Sequence, residues 1–214
     1  MANPTWRQAV KAAERLSHEA SPRTPVAANA TQLHKAIASS GDSTTKAMLI
    51  LAWTTSGRLG DVAQLAASDV AIADDGKMRV LFRKSKTARA KGGAHTVHTT
   101  LPKAWSKQLR AFLAGKTGDL FPKTSATVPK ATEALKEVDP TLEARSLRRG
   151  SLQTLAQAGA THEELMTFSG HKNVNTLLRY LGWGWTIGPK EAGAAAKAAA
   201  LAPTTTSARR RVVA

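Results

Sequence analysis

Apolar residues recur at helical spacing through most of the chain. Trp6, Ala9, Val10, Ala13 and Leu16 mark a helix from Thr5 to Ser17, which the prolines of the segment SPRTP, Ser21 to Pro25, interrupt. Asn29 to Ala38 predicts a second helix: Leu33 and Ile37 lie one turn apart and the polar start offers a cap. Ser43 to Thr55 (STTKAMLILAWTT) is so strongly apolar that it reads as the central buried helix. Gly57 breaks it, and a further helix is expected from about Leu59 to Ala67. The period then switches to two: MRVLFR from Met78 to Arg83 and HTVHTT from His95 to Thr100 predict two strands, joined by the basic loop KSKTARAKGG. Helices resume at Ala104 to Leu113, Ser125 to Val138, Ala144 to Ala158, His162 to Phe168 and Val174 to Leu181. Past Gly188, EAGAAAKAAAL reads as one Ala-rich helix and PTTTSARRRVVA as a disordered tail. No internal repeat is visible. The expected fold class is mainly α with a small antiparallel β-sheet (α+β).

Charge and composition narrow what such a fold does. The chain has 214 residues, with 31 Lys+Arg against 15 Asp+Glu, a formal net charge of +16. Such an excess repels itself until a polyanion neutralises it, and nucleic acid is the commonest such partner. There is no cysteine, which excludes a disulfide framework and a cysteine zinc site. No apolar run approaches the ~20 residues of a membrane span, and the polar N-terminus lacks the apolar stretch of a secretory signal. The carboxylates are scattered, with no DxD or HExxH pattern to gather a metal, and no Walker-type loop follows a strand. Neither a metal nor a nucleotide cofactor is therefore expected. Chemistry on a phosphodiester would then need a side-chain nucleophile, fixed cations around the phosphate and a proton donor for the leaving oxygen.

Four segments offer these groups. In Ser56-Gly57-Arg58-Leu59-Gly60-Asp61, Asp61 stands three residues after Arg58 and can hold its guanidinium; an ordinary surface arginine would look the same. The loop Lys84-Ser85-Lys86-Thr87 places lysines at a hairpin tip, where a lone lysine is usually just solvated but can also protonate a leaving alkoxide. In Arg145-Ser146-Leu147-Arg148-Arg149-Gly150, Arg145 and Arg148 share one helical face and can grip one phosphate, while Arg149 points elsewhere. Finally, Gly170-His171 precedes Tyr180, the single tyrosine, in SGHKNVNTLLRYLGWG. A tyrosine among Leu177, Leu178 and Leu181 is ordinarily a core residue, and as a nucleophile it needs nearby cations to favour the phenolate.

Taken in order, the segments resemble the catalytic domain of the tyrosine recombinase (phage integrase) family. That family carries an arginine in an RxGD/E-type segment, a lysine in a β-hairpin, an HxxR-type pair, a Gly-His and a tyrosine nine residues after the histidine. The matching positions are Arg58 with Asp61, Lys86, Arg145 and Arg148, His171 and Tyr180. The text SLRRG…LAQAGAT…LMTFSGHKNVNTLLRYL matches over more than 30 residues, and the whole resemblance runs from about Thr24 to Gly184. Two departures stand out. Arg145 replaces the family's usual histidine, and arginine donates to phosphate but cannot serve as a general base near neutral pH. Residues 1–24 leave no room for the family's N-terminal core-binding domain, so that domain is expected to be absent or truncated.

The resemblance implies three parts: an N-terminal helical segment or linker at 1–24, a DNA breaking-rejoining domain at 25–188, and an Ala-rich helix with a basic tail at 189–214. It implies double-stranded DNA as partner and a homo-tetramer on DNA, with the C-terminal tail docking on a neighbour in trans or touching phosphate through Arg209 to Arg211. The setting would be intracellular and DNA-associated, without a membrane. By the resemblance Tyr180 attacks the scissile phosphate, Arg58, Arg145, Arg148 and His171 stabilise it, and Lys86 protonates the leaving oxygen, with Lys84 and Lys91 as alternative lysines. Lys84, Arg89, Lys91, Arg149 and Lys172 are expected DNA contacts. A catalytically impaired DNA-binding relative, a type IB topoisomerase-like enzyme and a basic RNA-binding protein remain the alternatives.

Overall fold

The computed structural model describes residues 25–83, 93–122 and 124–181. The expected helices at Thr5 to Ser17 and beyond Gly188, the disordered tail and the lysine loop lie outside the described residues. Within them the order is α1 (Ala30–Ser39), α2 (Ser43–Thr54), α3 (Leu59–Val62), a 3-10 turn (Ala67–Asp69), β1 (Val70–Ile72), β2 (Lys77–Phe82), β3 (His95–Thr100), α4 (Lys103–Leu113), α5 (Thr124–Lys136), α6 (Ser146–Gln157), α7 (His162–Ser169) and α8 (Val174–Leu181). The mainly helical class with a small antiparallel sheet is the one the pattern predicts. Among the described residues no helix is long and apolar enough to cross a membrane.

Local signals start several of these helices. Asn29 caps α1 and exchanges backbone–side-chain bonds with Gln32 in a capping box; Thr161 and Glu164 do the same for α7. Asp42 caps α2 by accepting from the backbone of Thr44 and Thr45. Burial works to raise the Asp42 pKa, but the Thr45 hydroxyl, donating at 2.8 Å, and these backbone bonds hold the carboxyl below its ordinary value.

Helix α2 buries Thr45 and everything from Ala47 to Trp53, as its all-round apolar sequence requires, and forms the middle of the main core. Helices α1, α4, α5 and α6 surround it, with Leu33, Leu109, Leu135 and Leu147 fully buried. A second, smaller core joins Leu152 of α6, Leu165 of α7 and Leu177, Leu178 and Leu181 of α8. At the crossing of α6 with the segment before α1, Ala28 donates its N–H to Ser146 O at 3.0 Å. Gly150 makes this approach possible: a Cβ there would collide with the Ala28 carbonyl and come within 3.0 Å of Trp53.

Two elements differ from the sequence expectation. The helix expected from Leu59 to Ala67 stops at Val62, because the chain turns to pair with residues near 119: Leu120 N–H bonds to Leu65 O and Ala67 N–H to Gly118 O, both at 2.8 Å. The sheet has a third strand, β1, in the order β1-β2-β3, antiparallel throughout. Val70 pairs with Val80, and Val80 with Val97, so these valines and Met78 face the core while Lys77, Arg79 and His98 face outward. At the end of β2, Arg83 binds the buried Asp69 at 2.5 Å and fixes the root of the hairpin.

Candidate active site

The site forms where the C-terminal end of α2, the N-terminal half of α6, the α7–α8 turn and the last turn of α8 meet. After α2 the backbone turns sharply. Ser56 is fully buried and takes φ +48°, a left-handed conformation rare outside glycine, asparagine and aspartate. A hydroxyl chain holds it. Ser151 Oγ donates to Trp53 O at 2.7 Å, so its oxygen receives the Ser56 hydroxyl at 2.7 Å. Gly57 follows because a Cβ there would press on Thr55 and Val62. The turn then delivers Arg58, the residue before α3, whose Nη1 lies 3.3 Å from Asp61 Oδ2. The Arg58 side chain is 33% exposed, so it is anchored yet reachable from solvent.

The strain at Ser56 aims its carbonyl at Arg148. Arg148 is only 4% exposed; its Nη1 donates to Ser56 O, and its Nη2 donates to Ser169 O at 2.9 Å and approaches His171 Nε2 at 3.1 Å. Among the described residues its Nε is buried without a hydrogen-bond partner. Burial first, then the Arg58 charge, lower this guanidinium to about 10, while Tyr180 and Asp61 act the other way. It stays cationic at neutral pH.

His171 is fixed from both sides. Ser169 gives its one hydroxyl proton to Leu165 O at 2.6 Å, so Ser169 Oγ accepts the His171 Nδ1 proton at 2.7 Å. The network therefore assigns Nε2 as the unprotonated nitrogen, which accepts from Arg148. Burial, then Arg148 and Arg58, push the ring's pKa down to about 3. Gly170, with φ +71°, ends α7 in the left-handed form and turns the chain toward His171.

Tyr180 closes the cluster. Its ring centroid lies 5.0 Å from that of His171 and 5.4 Å from the Arg148 guanidinium carbon. The structure thus brings Arg58, Asp61, Arg148, His171 and Tyr180 together. Arg145 stands at the start of α6, 68% exposed, with Glu143 as its partner at 3.0 Å; no described contact joins it to Arg148. Lys172 is exposed just after His171. Arg149 is half-buried and donates to Arg179 O at 2.7 Å; burial lowers its pKa and Tyr180 raises it. Lys84, Lys86, Arg89 and Lys91 lie outside the described residues.

Sequence reasoning missed Ser56, Ser151, Gln153, Ser169 and His95. His95 is buried at the base of the hairpin, 3.2 Å from Phe168 O, and lines a small crevice with Asp61, Arg148 and Ser169. Only Gln153 left a usable sign, its place one helical turn after Arg149.

This arrangement of helices around a three-stranded sheet is the fold of tyrosine recombinase catalytic domains. The chain is similar to the XerA recombinase (TM-score 0.61, 18% identity, 86% of this chain and 67% of that one). It is also similar to the XerH site-specific recombinase in a post-cleavage complex with a palindromic difH substrate (0.58, 16%, 81% and 53%). A third likeness is to the catalytic domain of bacteriophage HP1 integrase (0.56, 16%, 80% and 94%). The chain thus spans about two-thirds of the XerA chain, about half of the XerH chain and nearly all of the HP1 domain. No curated protein matches the sequence. The phage integrase family model matches residues 26–182, and the chain belongs to that family.

Proposed function

We propose that this chain is the catalytic part of a site-specific recombinase that cuts and rejoins double-stranded DNA through a 3′-phosphotyrosine link at Tyr180, without a metal. The observation that carries the reading is the packing of the one tyrosine against His171 and the buried cation Arg148, with Arg58 beside them. Tyr180 Oη attacks phosphorus and gives up its proton to water, the bond from phosphorus to the 5′ oxygen breaks, and Lys86 supplies the proton that the leaving oxygen needs. Arg58 and Arg148 supply the positive charge that meets the negative charge growing on the non-bridging oxygens. Such a contact is worth ~10²–10³ in rate. Attack by another strand's 5′-hydroxyl on the phosphotyrosine reverses the step and exchanges strands.

His171 fits this scheme with one added condition. As it stands, Nε2 accepts from Arg148, so the ring donates to a phosphate only after taking a proton. A bound phosphate offsets the Arg148 and Arg58 charges that help keep the ring neutral, and so favours that proton. Arg145 reaches the phosphate by exchanging its exposed surface pairing with Glu143 for the DNA backbone. Solved neighbours bound to DNA, the XerH complexes and the Tn1549 integrase with transposon right end DNA, support DNA as the partner. Assembly as a tetramer, with residues 189–214 docking in trans, belongs to the same reading.

The pairing of Arg145 with Glu143 favours one second reading, a DNA-binding relative with impaired catalysis. A nicked suicide substrate separates the two. The first reading expects a covalent protein–DNA adduct that Tyr180→Phe abolishes. DNA binding without any adduct supports the second, and an adduct that survives Tyr180→Phe contradicts the first.

A further inference from the structure

Near the end of the described part of α8, two side chains of α6 reach the backbone carbonyls of Arg179 and Tyr180. Arg149 Nη1 donates to Arg179 O at 2.7 Å, and Gln153 Nε2 donates to Tyr180 O at 3.1 Å. Arg149 and Gln153 are four residues apart on α6, so they form one ridge along the end of α8. The residue before Arg149 is Arg148, whose guanidinium faces the Tyr180 ring. One helix therefore carries both the buried cation of the site and two donors that grip the backbone on either side of the tyrosine, at Arg179 O and Tyr180 O.

The grip consists of two hydrogen bonds. A cavity of about 420 Å³ lies elsewhere, over the outer face of the sheet, but a space of about 140 Å³, lined by Gln153, Ala156, Gln157 and Leu181, adjoins this amide. The space lies on one side of the Gln153 side chain, and the bond to Tyr180 O ties its amide to α8. The docking of α8 as a whole has a separate source, the leucines Leu152, Leu177, Leu178 and Leu181. Loss of the clamp thus leaves α8 on the domain but frees its final turn. The phenol stands at the end of a long side chain, so a small tilt of that turn displaces the oxygen further, and misplacement by ~1 Å can cost ~10²-fold in rate.

We infer that Arg149 and Gln153 are positioning residues: they fix the last turn of α8 so that the Tyr180 oxygen meets the phosphate held by Arg148. This rests on Tyr180 being the nucleophile. It also assigns Arg149, expected from the sequence to contact DNA, a task within the protein.

Gln153→Leu is the decisive variant, because it changes no charge and leaves the attraction for DNA intact. Single-turnover adduct formation on a nicked substrate, DNA affinity by mobility shift and thermal unfolding are measured together. The expected result is a cleavage rate ~10–100-fold lower at saturating protein, with DNA affinity and unfolding temperature close to wild type. Arg149→Met should lose rate similarly, and Arg149→Lys, which keeps one donor, should recover most of it. A normal cleavage rate in folded Gln153→Leu overturns the inference, as does a rate loss fully matched by lost DNA affinity. If the wild type itself forms no adduct, the function reading fails and the clamp's purpose falls with it; the two failures are distinguishable in one experiment.

Discussion

Acid should destabilise this protein through His171. The ring's pKa stands at about 3 in the folded protein against an ordinary 6.5, because it is buried first and flanked by Arg148 and Arg58 second. The folded state therefore keeps the ring neutral while the unfolded state takes up a proton as pH falls through 6.5. The stability tied to the neutral ring is fully present above that value and is lost as pH drops toward 3. At about pH 5 the unfolded imidazole is ~97% protonated and the folded one almost not at all, which integrates to about 2 kcal/mol lost relative to about pH 7.5. This magnitude hardly depends on the folded value, since anything below about 4 gives the same result. The assay is urea unfolding of the wild type and His171→Gln at both pH values. Other titrating groups are common to both proteins, and the variant's own cost cancels in the pH difference. The wild type should lose about 2 kcal/mol more than the variant between the two pH values. Equal losses would refute the claim that the fold holds His171 neutral.

Two further substitutions probe the frame of the site. Gly150→Ala forces a methyl group against the Ala28 carbonyl and Trp53, and should lower stability by about 3 kcal/mol in chemical denaturation; an unchanged midpoint would contradict this close approach. Arg148→Lys keeps the charge but cannot reach the carbonyls of Ser56 and Ser169 together, so cleavage should fall ~10²–10³-fold while weak DNA binding persists; near-normal cleavage would deny the guanidinium its part.

The helices were legible because their signals are local. Asn29 and Gln32 cap α1 within four residues, and the unbroken apolar run of α2 announces a central helix. Strand β1 was not legible, since Val70–Ile72 is only three residues long and becomes a strand by pairing with Met78 to Val80. The shortened α3 has the same kind of cause, a backbone pairing with residues near 119 that no neighbouring residue foretells. In the site, the order of segments, read through the family resemblance, pointed to Arg58 with Asp61, Arg148, His171 and Tyr180; the three-residue spacing of Arg58 and Asp61 by itself fitted an ordinary surface arginine as well. What holds them did not show: the Ser56 carbonyl on Arg148 spans 92 residues, and the Gln153 bond to Tyr180 spans 27. The Ser169 contact with His171 is close in sequence, but its meaning depends on where the hydroxyl proton goes, which Leu165 decides.

The central claim is that Tyr180 is the nucleophile within a cage of protein cations. Peptide mapping of the adduct trapped on a nicked suicide substrate, formed in the presence of a metal chelator, tests it most directly. The account predicts a single DNA-linked peptide, joined through a 3′-phosphate to Tyr180 and formed at an undiminished rate in chelator. A link at any other residue, or an adduct that chelation abolishes, would contradict it.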